Sequence, residues 1–403
     1  LTQSTAGVSS TDRVYVVFGN AEQNLFFEAS SDSLGVDMGS GDDEFFNAEE
    51  GSIHAEAVST ADVDGVTAVF FASTTNSVDA IADAIAWSLD LGQGNNVAFN
   101  AGDLLVSSQS TVAATAAAEY DRSETDADAD AIAQAYGWGV QAGDEEDHVF
   151  NSGIIRVEAS ADSTSYARGA VIGSPDDTST VTGDSASGST TFVDASLIGQ
   201  PSGNVVGKWV RFLTGDNADF YTRIEAFDSG TGTITLTQGL PGDLKALEVD
   251  DEGEVITPAD QYTFSAARDG SSSAVATAVA KGIELGNGNA IVENSGQLVV
   301  KASADADTTA ASYCGAAAAE AEARAEAGGI VTGDGNDVVR NEGTIRVEAE
   351  AVTSASGSSV RQSFTATAAG IDTGGGDDTI RNDGSIITTV SSNDADPVPG
   401  IGI

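Results

Sequence analysis

Between Val339 and Glu350 the chain alternates. Val339, Asn341, Gly343, Ile345, Val347 and Ala349 occupy every second position, and Arg340, Glu342, Thr344, Arg346, Glu348 and Glu350 fill the gaps. A period of two sends successive side chains to opposite faces of an extended strand, so the first set is predicted to face a core. Ile380, Asn382, Gly384 and Ile386 repeat the pattern. The alanine-rich tracts AEAEARAEA (319–327) and DADADAIAQA (126–135) alternate just as strictly. Alanine has the highest intrinsic helix propensity, but a helix needs apolar residues at a 3.6-residue period, and these tracts have a period of two. They are assigned to strands.

The alternation sits in a frame that recurs six times, a Gly followed eight residues later by an Asn. The pairs are Gly39/Asn47, Gly92/Asn100, Gly143/Asn151, Gly286/Asn294, Gly333/Asn341 and Gly374/Asn382. A second Gly follows the Asn by two residues in five copies; in the first copy Gly51 comes four later. The leading glycines are 53, 51, 143, 47 and 41 residues apart. Fixed-period self-similarity is the signature of a stacked repeat architecture. At 41 to 53 residues each repeat reads as two narrow coils, the first with the Gly-Asn frame and the second with the alanine tract. Twelve such coils would form a rod roughly 55–60 Å long. The inward row Asn47, Asn100, Asn151, Asn294, Asn341 and Asn382 can then form an amide ladder, because buried amides need partners.

The gap of 143 residues equals one repeat plus an insertion. Residues 171–264 hold eight of the aromatics, among them Phe192, Trp209, Phe212 and Tyr262, and DSGTGT reads as a hairpin turn. The fold class expected is all-β: a β-solenoid (parallel β-helix) of six two-coil repeats with an inserted small β-barrel or sandwich. Residues 1–32 are expected to form a β-hairpin that caps the rod or serves assembly, 33–170 and 265–392 the solenoid, 171–264 the insert, and 393–403 an apolar tail.

Composition narrows the setting. There are 63 acidic residues against 16 basic ones, for a net charge of −47. Such a surface repels nucleic acid and anionic membranes and suits a salty or calcium-rich exterior. Aromatics are only 6% and Gly numbers 46, so the core must be thin and built from small side chains. The single cysteine, Cys314, permits no intrachain disulfide. No run of 18 apolar residues exists to span a membrane. A start at Leu1 reads as a processed or trimmed chain.

The segment TGDGNDVVRNEGTI resembles the degenerate Gly-Asp-Asn repeats of large secreted bacterial adhesins and autotransporter passenger domains. It is more distantly similar to the calcium-binding nonapeptide repeats of RTX proteins, although here the motif occurs once per repeat rather than in tandem. GKWVRFLTG and DQYTF in the insert resemble small β-modules of phage tail fibres. These resemblances imply a β-solenoid at a cell or virion surface, with calcium as a cofactor.

Three sets of residues carry candidate chemistry. The turn carboxylates Asp42, Asp43, Asp147, Asp337, Asp377 and Asp378 are oxygen ligands beside glycine turns and are candidates for calcium; Asp and Asn also favour turns for their own sake. Phe46, Phe99 and Phe150 share one outward register, which predicts an exposed row that a partner, the insert or a neighbouring subunit covers. His54 and His148 occupy outward, variable slots. No nucleophile elbow, paired-cysteine motif, HExxH or phosphate loop is present, so no catalytic residue is assigned. The expected function is a structural extracellular fibre: a surface filament subunit or an adhesin or virion shaft that assembles head to tail with itself, with cell-surface glycans or other fibre proteins as further partners. The alternative is a glycan-binding or glycan-cleaving solenoid, favoured by an aromatic-lined groove on its flank.

Overall fold

The structure, a computed structural model, describes residues 2–16, 21–69, 74–120, 125–171, 179–200, 202, 205–206, 208–218, 220–249, 255–265, 268–312 and 317–392. Strands dominate, and the described residues contain no α-helix and no helix long and apolar enough to cross a membrane. The proposed tail at 393–403 and Cys314 lie outside the described residues.

The chain winds as a parallel β-solenoid. Its first coil is β1 (Thr2–Val16), β2 (Ala21–Asp37) and β3 (Glu44–Asn47), and its second is β4 (Ser52–Val69), β5 (Thr74–Asp90) and β6 (Val97–Asn100). The third is β7 (Asp103–Tyr120), β8 (Thr125–Gln141) and β9 (His148–Asn151). The fourth opens with β10 (Ile154–Val171). It is interrupted by the insert, β11 (Ser179–Thr180) to β18 (Gln261–Ser265), and resumes as β19 (Arg268–Glu284) and β20 (Ile291–Asn294). β21 (Gln297–Ser312), β22 (Ala317–Val331) and β23 (Val338–Asn341) form the fifth coil. β24 (Thr344–Ser356), β25 (Ser359–Asp372) and β26 (Thr379–Asn382) form the sixth, and β27 (Ser385–Ser392) starts another. The leading long strands make a seven-stranded first sheet, the returning long strands a six-stranded second sheet, and the short strands a six-stranded third sheet.

Each repeat is therefore one wide coil, not two narrow ones. Every strand pairs with its counterpart a full repeat away, as Asn47 does with Asn100 and Asn294 with Asn341, and the alanine tracts face the leading strands instead of stacking on them. A perimeter of 41 to 53 residues fits one coil because the two long strands flatten it. Seven stacked strands make a rod about 30 Å long, half the expected length. The N-terminal segment is likewise no hairpin. β1 pairs in parallel with β4, and β2 with β5, so the two strands lie in different sheets; in a solenoid each edge is satisfied by the next coil.

Alanine makes the flattening possible. Inward positions such as Ala80, Ala82, Ala84, Ala129, Ala131 and Ala133 are fully buried. The sheets approach so closely that a serine on one reaches the backbone of the other: Ser108 Oγ donates to the Ala84 carbonyl at 2.6 Å, and Ser110 Oγ to Ala82 at 2.6 Å. Next to the third sheet the core holds larger side chains, among them Leu89, Leu91, Leu104, Ile155 and Ile345.

The insert is antiparallel and has its own core. β12 (Thr191–Val193), β13 (Trp209–Phe212), β14 (Tyr221–Asp228) and β15 (Thr233–Leu236) join β11 and β18 in the order β11-β18-β13-β14-β15-β12. An antiparallel bridge between Gly183 and Val193 links the two edges and closes a small barrel. A two-stranded ribbon, β16 (Glu248–Val249) with β17 (Val255–Thr257), adjoins it in sequence. Phe192, Phe212 and Tyr262 meet edge to face or tilted at its centre, with ring centroids 5.0–6.2 Å apart. The buried Tyr262 hydroxyl donates to Asp194 at 2.6 Å, and burial pushes that phenol well above its ordinary pKa.

Candidate functional site: the stacked Gly-Asn corner

The third sheet and the turns on either side of it gather all three candidate sets. The six asparagines stand in one inward row. Asn47 Nδ2 donates to Asn100 Oδ1 at 2.8 Å, Asn100 to Asn151 at 2.8 Å, and Asn151 to Asn294 at 2.7 Å. Asn294 donates to Asn341, and Asn341 to Asn382, each at 2.7 Å. The ladder crosses the insertion without a break, because the fourth coil restores its register on return. It has a polarity: the sixth coil ends on a donor, Asn382 Nδ2, and the first on an acceptor, Asn47 Oδ1.

Four of the six turn carboxylates, those of Asp42, Asp147, Asp337 and Asp378, accept from a neighbouring coil, whereas Asp43 and Asp377 join the network through their backbone N–H groups. Asp147 Oδ1 accepts from the Asn96 backbone N–H and side-chain amide, both at 3.1 Å. Asp337 Oδ1 accepts from Ala290 N at 2.8 Å and its Oδ2 from Thr332 Oγ1 at 2.5 Å, while Asp378 Oδ1 accepts from Asp337 N at 3.0 Å. Asn96 Oδ1 completes this column by accepting from Asp43 N at 3.1 Å. One position earlier the direction reverses. Asp42 Oδ1 accepts from Asn95 N in the following coil at 2.9 Å, and Asp377 N donates back to Asn336 Oδ1 at 2.9 Å. Two adjacent columns of opposite polarity thus staple the turns together. Among the described residues no three His, Cys, Asp or Glu side chains gather into a group able to hold a metal. The cost of the arrangement shows at Asp147, where burial pushes the carboxyl up to about 6 despite the bonds from Asn96, and whose Oδ2 is buried without a partner.

Phe46, Phe99 and Phe150 project outward from β3, β6 and β9. Phe99 and Phe150 stack at 4.9 Å with 9° between their planes, and Phe46 tilts against Phe99 at 6.4 Å. Phe46 remains 71% exposed. The row walls a cleft of about 350 Å³ whose far end is closed by Glu293, Arg340 and Glu342, with Arg340 bonded to Glu293 at 3.0 Å. His148 meets the edge of Phe150. His54 lines a separate cleft beside Arg156 and Glu158 on the first sheet.

Comparison of the chain with protein-family models, curated proteins and solved structures finds no match. The reading of this corner therefore rests on its own geometry, which is that of a stacking device: donors and acceptors run along the axis from coil to coil.

Sequence reasoning missed one more column. Four residues before each leading Gly stand Gly35, Ser88, Gly139, Gly282, Gly329 and Gly370. A Cβ at Gly139 would meet the Gly282 carbonyl oxygen at 2.4 Å and Ile155 Cγ2 at 2.5 Å, so the second sheet can bend toward the third only with a minimal residue there. The signal, five glycines in six copies at one offset, was available in the repeat alignment.

Proposed function

We propose that this chain is a non-catalytic structural element of an extracellular fibre, stacking end to end with copies of itself. The observation that carries the reading is the sixth coil. Its inward-register Val360 is 49% and Ile380 37% exposed, whereas their counterparts one coil earlier, Ala319 and Val339, are 3% and 0% exposed. A coil face with apolar side chains and a row of unpaired strand groups is a template for another coil. The ends are also complementary in kind. The donor-ended Asn382 suits the acceptor-ended Asn47. A head-to-tail contact of this kind is heterologous and open, so it propagates into a filament.

The cleft beside Phe46, which is 71% exposed, is the kind of aromatic-lined groove that the glycan-binding alternative calls for, but most of the flank rings are turned to one another. Phe99 and Phe150, like Trp87 and Trp138 at 5.3 Å and 12°, stack on one another along the coil axis and so spend their faces on each other, whereas sugar recognition needs ring faces turned outward.

Sedimentation velocity over a concentration series, with negative-stain microscopy of the same samples, tests the proposal. End-on association that disappears in a Val360→Glu/Ile380→Glu variant of unchanged melting temperature is the expected result. A strictly monomeric wild type at the highest attainable concentration would overturn it.

A further inference from the structure

The outward faces of the two long sheets differ. On β10 the outward positions are Arg156, Glu158, Ser160, Asp162 and Thr164, all exposed and polar. Over β5, β8 and β19 the second sheet instead turns apolar residues outward. Ile81, Ile132 and Val275 align as one column across the three strands, and Ile85, Tyr136 and Val279 as another. Trp87 and Trp138 stack beside them. Strand propensity accounts for a single outward Ile or Val, but not for two columns, one on each side of the polar column Asp83, Gln134 and Thr277, confined to three neighbouring coils. At strand and residue spacings the block, with its central polar column, covers roughly 300–400 Å², and it sets apolar side chains on both sides of the Asp83 carboxylate.

We propose that this face binds a basic polypeptide segment carrying aliphatic side chains between its lysines or arginines. The charge around the patch selects that occupant. β2, β5 and β8 contain no Lys or Arg, and Lys281 of β19, opposite Trp138, is already paired with Glu326 at 2.6 Å, while Glu28, Asp32, Asp79 and Asp130 face outward around the block and Asp83 within it. Asp79 and Asp130 are direct cross-strand neighbours, a like-charge pairing that is unfavourable without a countercharge. The strain is legible in the carboxyls themselves: burial and the neighbouring Asp128 and Asp79 push Asp130 up to about 6, and burial with Glu28 and Asp32 raises Asp83. Asp83 Oδ1 and Trp87 Nε1 are moreover buried without partners. A second copy of this chain, at −47, brings the wrong charge to such a surface. The stacked rings do not offer their faces to a sugar. A cationic, apolar peptide supplies a countercharge to these carboxylates and apolar side chains for the two columns beside them.

The probes are three labelled twelve-residue peptides alternating Lys-Val, Lys-Ser and Glu-Val, titrated with the full chain by fluorescence anisotropy at about 0.15 M salt. The Lys-Val peptide should bind at least about tenfold more tightly than the Lys-Ser peptide, and the Glu-Val peptide should not bind. Ile132→Ser/Val275→Ser should reduce Lys-Val binding to the Lys-Ser level. Gln134→Lys, which leaves every apolar side chain in place, should weaken binding of both lysine peptides. Equal affinity for Lys-Val and Lys-Ser, or indifference to both variants, would overturn the proposal. So would a self-association of the chain that Ile132→Ser/Val275→Ser abolishes, since it assigns the face to a second copy.

Discussion

The solenoid and its insert solve the same problem with opposite materials. The insert buries Phe192, Phe212 and Tyr262 in a barrel of short antiparallel strands, where a few large side chains fill the volume. The solenoid buries rows of alanine, and its specificity lies along the axis, in in-register strands, the asparagine row and the staggered turn carboxylates. The lesson is that a thin core can be specified by register where it cannot be specified by shape. Damage should therefore stay local in the insert and spread along the stack in the solenoid.

The largest expected effect is in the insert. Phe192→Ala removes the ring that meets both Phe212 and Tyr262 and should destabilise the barrel by about 3–5 kcal/mol. Calorimetry should show a lower insert transition beside an unmoved solenoid transition; a joint shift of both would show that the two cores are coupled. Asn151→Ala comes next. It leaves Asn100 Nδ2 without its acceptor and Asn294 Oδ1 without its donor, which should cost about 2–4 kcal/mol. Amide exchange should then rise in the coils on both sides, and a response confined to the third coil would count against a continuous ladder. Ala84→Val adds methyl groups where Ser108 Oγ reaches the Ala84 carbonyl and should cost about 1–3 kcal/mol through overpacking. An unchanged melting temperature would mean that the sheets are less closely apposed than the serine bonds indicate.

The smallest effect has the opposite sign. The Asp147 carboxyl is held at about 6, above its ordinary 3.8. A group raised on folding contributes stability that is present below pH 4 and lost as pH climbs through 6. Asp147→Asn keeps an oxygen for Asn96 and removes the charge. It should stabilise the chain by about 1 kcal/mol at pH 7 and flatten the melting profile between pH 4 and 7. If Asp147 instead served calcium, the same variant would be the less stable one in millimolar calcium, and the two accounts separate in a single pair of melts.

How far the sequence reveals this fold depends on which interactions are periodic. The inward side of Val339, Asn341 and Ile345 could be read because a strand has only two faces. The asparagine row could be read because one offset recurs in every copy. The number of coils per repeat could not, since alternation reports which way a side chain points and not which strand lies opposite. That depends on how closely the sheets approach, which is set by alanine and serine together at positions such as Ala84 and Ser108. Phe46, Phe99 and Phe150 were legible as an outward row, but the cleft beside them needs the small turn residues Ala101, Ser152 and Ser295. The apolar face around Ile132 was hidden by its tract, where attention falls on the alanines and not on what alternates with them.

One coil per repeat also sets how the molecule yields to tension. Pulled from its ends, a stack bound mainly between adjacent coils should peel one turn at a time, and each rupture frees one repeat of chain. Repeats of 41 to 53 residues would lengthen the tether by roughly 140–190 Å per step. The interrupted coil alone hides a reserve, since its 143-residue span pays out fully only after the barrel has also opened. The force–extension trace would thus be a ruler of nearly even ticks with a single long one, whose place in the series marks where the insert sits.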